Sequence, residues 1–148
     1  MQMTIKVLLA DESVFIRLVI SEILKLDNDI EVVATASNGK DALDKVKQFS
    51  PDVVVMDMNM GEYDGLYGIE KIIEQKPTPI IIFSSIGHTN FPAVQKGLAL
   101  GAVDYINKPI HNTNIKEIEK ELIQKIKTVA IANVFACNKV NKPLRKII

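Results

Sequence analysis

Acidic residues follow two apolar segments of this sequence, at the point where each segment ends. Asp57 comes directly after the apolar run 53–56, and Asp11 and Glu12 come directly after the run 5–10. A run able to bury on both sides is typical of a central strand in a parallel sheet, and the carboxyl ends of such strands meet at one edge. We therefore expect the carboxylates to face one another there. Because like charges held close repel, they indicate a site for a divalent cation and a phosphate group.

Two further reactive side chains occupy comparable positions. Ser84 follows an entirely apolar run over 80–83, and Lys108 follows a short strand-like segment over 103–106. The ammonium would balance the carboxylates, and the hydroxyl would hydrogen-bond a phosphoryl oxygen. Since no Cys or His is placed to act as a nucleophile, a carboxylate must take that role.

Strand-like and helix-like segments alternate five times along the chain, which predicts right-handed crossovers and a doubly wound, five-stranded parallel sheet with helices on both faces. The strands are predicted at Ile5–Ala10, Ile30–Ala36, 52–56, 80–83 and 103–106, the second of them as an outer, half-buried strand. Helices are predicted from a cap at Ser13 to about Leu26, up to Phe49, from Asp64-Gly65 to about Gln75, over 93–100, and through the apolar positions 115–129.

Helical spacing also predicts which side chains are buried. In the first helix they are Phe15, Leu18, Val19, Ile23 and Leu26, and in the second they are Ala42, Leu43, Val46 and Phe49.

Composition excludes several classes of function. The 148 residues are 47% hydrophobic and carry 18 basic and 18 acidic side chains, so there is core for one domain and no overall charge that favours nucleic acid. Basic residues concentrate after position 114, which we interpret as a solvated helix end or linker. The single cysteine excludes a disulfide framework. With no apolar stretch of about 18 residues and no signal-peptide pattern, we expect a cytoplasmic protein that does not enter a membrane.

Taken together, these positions resemble the receiver domain of two-component response regulators, the group that includes the chemotaxis protein CheY. The resemblance covers about residues 5–127 and is specific because it fixes five separated positions with the expected elements between them. It is narrowed to the receiver of the chemotaxis methylesterase CheB by the segments 76–79, 84–85, 100–105 and 108–109, and by the 24-residue interval from Ser84 to Lys108.

The resemblance implies a phosphoacceptor and a metal site. Asp57 would be the phosphoacceptor, taking the phosphoryl group of a kinase phosphohistidine in a reaction that requires Mg²⁺ or Mn²⁺. Asp11 and Glu12 would match the acid pair that binds the metal directly or through water. Asp57 and the backbone carbonyl of Asn59 would complete the protein ligands.

It also implies a conformational switch. Lys108 would bond a phosphoryl oxygen, and the Ser84 hydroxyl would move toward the same group. Tyr105 would turn inward to fill the space that Ser84 vacates. A new dianion would thereby bias a partner-binding surface formed by the last two strands and their helices.

Two departures from the family pattern leave an alternative open. The second acid is usually Asp where this chain has Glu12, and the residue at Gly61 is usually Pro. The longer Glu side chain changes how the carboxylate reaches a metal, and Gly61 predicts a more flexible loop. The alternative is a degenerate receiver, which keeps the fold as a protein-interaction module but does not depend on phosphorylation.

The expected boundaries are a receiver over residues 1–127 and a linker or tail over 128–148. A CheB protein carries a methylesterase domain after its receiver, but no Gly-x-Ser-x-Gly nucleophile motif occurs here. We therefore expect no enzyme in this chain beyond its own phosphorylation, unless it is a fragment of a protein-glutamate methylesterase. The implied partners are a CheA-like histidine kinase and an effector or methylesterase domain, in cis or in trans, with a homodimer as a further possibility.

Overall fold

A computed structural model describes residues 4–85, 91–108 and 118–139, with side chains described up to 134. The strands are Ile5–Ala10 (β1), Ile30–Ala36 (β2), Val53–Met56 (β3), Ile80–Ser84 (β4) and Asp104–Asn107 (β5). The helices are Val14–Lys25 (α1), Gly39–Phe49 (α2), Gly65–Gln75 (α3), Phe91–Leu100 (α4) and Glu119–Lys139 (α5). No helix among the described residues has both the length and the apolar character needed to cross a membrane.

All neighbouring strands pair in parallel, in the order β2-β1-β3-β4-β5. One hydrophobic core lies between the sheet and α1 with α5, and a second lies between the opposite face and α2, α3 and α4. The predicted doubly wound, five-stranded parallel sheet is therefore confirmed, including the position of β2 at an edge.

The central strands are apolar on both sides because both of their faces are covered. Every residue of β3 and β4 is buried. Alternate side chains enter opposite cores, so that Ile82 packs on the α2–α4 side and Phe83 on the α1–α5 side. Reactive side chains carried by these central strands can therefore be accessible only near the strand ends.

Three helices begin at polar caps that set their first turns. The side chains of Ser13, Asn38 and Asp64 each accept a hydrogen bond from the backbone N–H three residues further on. Each bond satisfies a donor that the helix itself leaves unpaired. These caps place the starts of α1, α2 and α3 close to the ends of the preceding strands.

The predicted buried face of α1 is mostly wrong. Phe15, Leu18 and Leu26 are 51%, 61% and 75% exposed, and Val19 is only partly buried. Eight of the twelve positions of the helix are apolar, so periodicity alone does not fix which side faces the sheet. The residues that pack inward are Ile16, Ile20, Ile23 and Leu24. In α2 the prediction also fails at Phe49, which is exposed in the last turn.

Helix α5 continues beyond the segment for which a helix was predicted. It ends at Lys139, and its backbone is helical through positions where a linker was expected. Val129 packs against the α1–α5 core and Ala130 is buried in it, whereas Ile131 and Val134 are exposed. Contact with the body of the fold therefore extends to Ala130.

Candidate functional site

Asp11, Asp57 and Lys108 converge at the carboxyl edge of the sheet. They directly follow the last residues of β1, β3 and β5, respectively, and the two carboxylates are buried. The Lys108 ammonium lies 2.7 Å from Asp11 Oδ2 and 3.6 Å from Asp57 Oδ2. The site therefore holds two carboxylates against one ammonium, whereas three carboxylates were expected from the strand ends.

Burial of Asp57 disfavours its charge. Desolvation raises the pKa of Asp57 to about 6 and is the largest effect; the Lys108 ammonium opposes it, while the negative charge of Asp11 adds to it. The carboxylate is consequently ionised at pH 7. Its charge still destabilises the folded state, because the Lys108 ammonium does not fully offset the desolvation.

Asp11 is held by contacts around its whole residue. Its Oδ1 accepts a hydrogen bond from Ser13 N at 2.9 Å, and Oδ2 takes the Lys108 ammonium. Arg17, which sequence reasoning missed, donates from Nη1 to the backbone carbonyls of Asp11 and Glu12, at 2.6 and 3.3 Å. The only signal for Arg17 was a basic residue one turn into the helix that follows the acid pair.

Lys108 is positioned by an aromatic ring and a backbone hydrogen bond as well as by the two carboxylates. Its side chain is 15% exposed, and the ammonium lies 5.1 Å from the centroid of the buried Phe83 ring. Its backbone N–H donates to the carbonyl of Ser84 at 2.9 Å. Phe83 was also missed, because it reads as an ordinary core residue of an apolar strand.

The loop after Asp57 is closely packed against the start of α3. Asn59 N donates weakly to Asp57 Oδ1, at 3.4 Å. A Cβ placed on Gly65 would collide with the Asp57 carbonyl and lie 2.7 Å from the Met58 Cα. Gly61 has φ = 71°, a left-handed conformation that proline does not adopt. Glycine at position 61 therefore gives this loop a path that the usual proline excludes.

Glu12 does not join the other two acids. Its side chain is exposed, and the part of the chain that the structure describes contains no cluster of three or more His, Cys, Asp or Glu side chains suited to a metal ion. Mg²⁺ commonly takes only one or two protein carboxylates, together with waters and substrate phosphate. The hard oxygen donors of the buried Asp11 and Asp57 carboxylates therefore fit this cation.

Ser84 and Tyr105 differ sharply in their surroundings. Ser84 is fully buried, and its hydroxyl makes no hydrogen bond among the described residues. Tyr105 is 37% exposed and so is not a core residue. Side chains alternate along β4 and β5, which places Ser84, Ile82 and Tyr105 on the same face of the sheet.

This sheet and the acid–lysine site at its carboxyl edge define a class of protein. The family described as response regulator receiver domain matches residues 7–120, and the chain belongs to that family. Its resemblance to receivers is thereby confirmed.

The relatives narrow the resemblance to CheB. A protein-glutamate methylesterase/protein-glutamine glutaminase of Carboxydothermus hydrogenoformans is 45% identical over 128 residues, covering 85% of this chain and 36% of the relative. A second, from Syntrophomonas wolfei, is 41% identical and covers 84% of this chain and 36% of the relative. The chain thus spans little more than a third of the length of these relatives.

Solved structures agree with membership of the receiver family, and one of them is the receiver of a CheB protein. The response regulator domain of Thermotoga maritima CheB superposes with a TM-score of 0.81 at 32% identity, covering 86% of this chain and 96% of that domain. The complex of CheX, CheY, beryllofluoride and Mg²⁺ from Borrelia burgdorferi gives a TM-score of 0.72 at 26% identity, covering 86% and 90% of the two chains.

Proposed function

We propose that this chain accepts a phosphoryl group from a histidine kinase onto Asp57, in a Mg²⁺-dependent reaction, and so controls a partner surface. The observation that carries the proposal is the buried pair of Asp11 and Asp57 bridged by Lys108 at the sheet edge. A structural ion pair would need only one carboxylate for each ammonium. The surplus negative charge suits a site that receives a cation and a phosphoryl group.

The nucleophile is a carboxylate oxygen of Asp57, which is ionised at neutral pH because its pKa is about 6. It attacks the phosphorus of a phosphohistidine. The new P–O bond forms as the P–N bond breaks, and the imidazole leaves with the electron pair and takes up a proton. Arg17 and Ser13 take no direct part in this step. They hold the backbone and the carboxylate of Asp11 in place.

Charge neutralisation is divided between the lysine and the metal. The Lys108 ammonium already lies between the two acids, from where it would bond an oxygen of the incoming phosphoryl group. When bound, Mg²⁺ supplies positive charge to the phosphoryl oxygens. Asp11, Asp57 and the Asn59 carbonyl would hold it, with Glu12 reaching it directly or through water.

Ser84 and Tyr105 would carry the signal away from the site. The buried hydroxyl of Ser84 has no partner among the described residues, so it is available to a phosphoryl oxygen. Its movement would leave space on the face of the sheet that Tyr105 shares. Tyr105 would then turn from its half-exposed position into that space and change the surface around β5.

The relatives support a role in chemotaxis. We propose that the receiver regulates a protein-glutamate methylesterase domain, in cis or in trans, and that its phosphodonor is a CheA-like kinase of the cytoplasm. The chain would then be a regulatory module rather than an enzyme acting on a separate substrate.

Mass spectrometry after treatment with acetyl phosphate and Mg²⁺ tests the central claim. We expect one added phosphoryl group that hydroxylamine removes, as expected for an acyl phosphate, and no addition in Asp57→Asn. Asp52→Asn, which alters an acid distant from the site, is the matched control and should be modified like the wild type. Phosphoryl incorporation in Asp57→Asn would show that the nucleophile is a different residue.

One observation favours the degenerate receiver as a second candidate. Because Glu12 is exposed, only two acids are gathered at the site among the residues that the structure describes. A degenerate receiver would gain no stability from beryllofluoride and Mg²⁺, whereas a phosphorylatable one would melt at a higher temperature with both present than with either alone.

A further inference from the structure

The ammonium of Lys125, on α5, makes a set of contacts centred on Tyr105. It donates to the Tyr105 carbonyl at 2.7 Å and to Asp104 Oδ1 at 3.3 Å, and it lies 5.6 Å from the centroid of the Tyr105 ring. Glu121, one turn earlier in α5, lies 3.4 Å from the same ammonium. Lys125 thus touches both the backbone and the ring of Tyr105.

These contacts lie at the outer edge of β5, the last strand in the sheet order. The backbone N–H of Tyr105 donates to Asp104 Oδ1 at 2.7 Å. The outward N–H and carbonyl of Tyr105 are therefore both bound by charged side chains. α5 packs on the face opposite to the Tyr105 side chain, so Lys125 reaches the ring past the outer edge of β5.

Only one of these contacts depends on where the Tyr105 ring is. The bonds to the Tyr105 carbonyl and to Asp104 involve atoms that a side-chain rotation leaves in place. The contact with the ring face exists only while the ring stays outside. A contact present in one of two states shifts the equilibrium toward that state by its own free energy.

We propose that Lys125 is a positioning residue that holds Tyr105 in its outward position and so sets how readily the site activates. The hydrogen bonds to the Tyr105 carbonyl and to Asp104 fix the position of the Lys125 ammonium, and its contact with the ring stabilises the unphosphorylated state. This proposal rests on the proposed switch, because it assumes that Tyr105 turns inward when Asp57 is phosphorylated. It adds a residue of α5 that biases the switch without touching the phosphoryl site.

The test compares beryllofluoride binding and the Tyr105 environment in matched variants. The chain has three tyrosines, so 3-fluorotyrosine labelling is expected to give three ¹⁹F signals, and Tyr105→Phe identifies the relevant one. Lys125→Gln keeps a donor for the carbonyl but has no charge for the ring. Lys127→Gln removes a charge two residues away on the same helix, from a lysine paired with Asp27 and Asp29, and is the control.

In Lys125→Gln we expect beryllofluoride, with saturating Mg²⁺, to bind about fivefold more tightly than in the wild type, the factor that one cation–π contact at a half-exposed site supplies. Its Tyr105 signal without beryllofluoride should move toward the bound position. Lys125→Arg should restore wild-type behaviour, because a guanidinium also stacks on an aromatic ring. Lys127→Gln should bind as the wild type does.

The outcomes separate the two proposals. Suppose that the wild type binds beryllofluoride and that its Tyr105 signal responds. If Lys125→Gln then binds beryllofluoride no more tightly than the wild type or than Lys127→Gln, the role of Lys125 is refuted and the switch stands. If the wild-type Tyr105 signal does not respond at all, the proposed switch fails and the role of Lys125 fails with it.

Discussion

At pH 7 the carboxylate of Asp57 is ionised although it is buried beside a second buried carboxylate. The folded protein holds the Asp57 proton more tightly than the unfolded chain does, since folding raises the pKa from an ordinary 3.8 to about 6. The resulting stabilisation is fully present below about pH 4 and is lost as the pH rises through about 6. At neutral pH the ionised side chain costs about 3 kcal/mol of folding free energy.

Asp57→Asn should therefore raise the free energy of unfolding of the metal-free protein by about 3 kcal/mol at pH 7, because it removes the unfavourable charge. The gain should shrink as the pH falls from 7 to 4. Urea unfolding of both proteins across this range measures it, with the exposed Asp44→Asn as a control that should change little. A gain independent of pH would contradict the explanation by charge.

Lys108→Met should have the opposite effect. Removing the ammonium leaves two buried carboxylates without a counter-charge, and breaking a buried pair in this way costs about 3 kcal/mol. In Lys108→Met with Asp57→Asn the loss should be smaller, because one of the repelling charges is absent. Urea unfolding of the two single variants and the double variant gives the coupling free energy, and strict additivity would show that Lys108 does not neutralise Asp57.

The loop between β3 and α3 links site geometry to helix packing. Gly65 is pressed against the backbone of Asp57 and Met58, whereas a Cβ on Gly61 would meet nothing within 4 Å. The two glycines are required for different reasons. Gly65 is required by space, and Gly61 by its φ of 71°.

Alanine substitutions should separate these reasons. Gly65→Ala should lower the free energy of unfolding by about 3 kcal/mol, because backbone must move away from the new methyl group. Gly61→Ala should cost only about 1 kcal/mol, the strain of a left-handed residue. Gly65→Ala should also slow phosphorylation by acetyl phosphate more than Gly61→Ala does. Equal losses of stability would show that the packing around Gly65 yields easily.

The elements and the central site were largely predictable, for a local reason. The central strands β3 and β4 are short, buried, mostly apolar runs, and Asp11 and Asp57 follow directly after the last residues of β1 and β3. The orientation of α1 was not predictable, because most of its positions are apolar. Arg17, Phe83 and Lys125 were missed because their roles arise from contacts between elements distant in sequence, for which no local pattern exists.

Across the whole molecule, protection should decrease from the centre of the sheet to its edge. β3 is paired on both sides and fully buried, while β5 is an edge strand with the half-exposed Tyr105. We expect native-state hydrogen exchange of the bonded β3 amides to require global unfolding, and that of β5 to be about tenfold faster or more, through local opening. Equal protection would indicate that β5 is covered by a further contact.

Because two acids share one lysine, the thermal stability of the protein should itself report whether a cation occupies the site. The chain contains no tryptophan, so quenching of indole fluorescence cannot follow ion uptake. A dication that relieves the excess negative charge would bind the native state alone, and each tenfold rise in its concentration above the dissociation constant would then add about 1.4 kcal/mol to stability. Melting curves along a magnesium titration should therefore measure occupancy without any label.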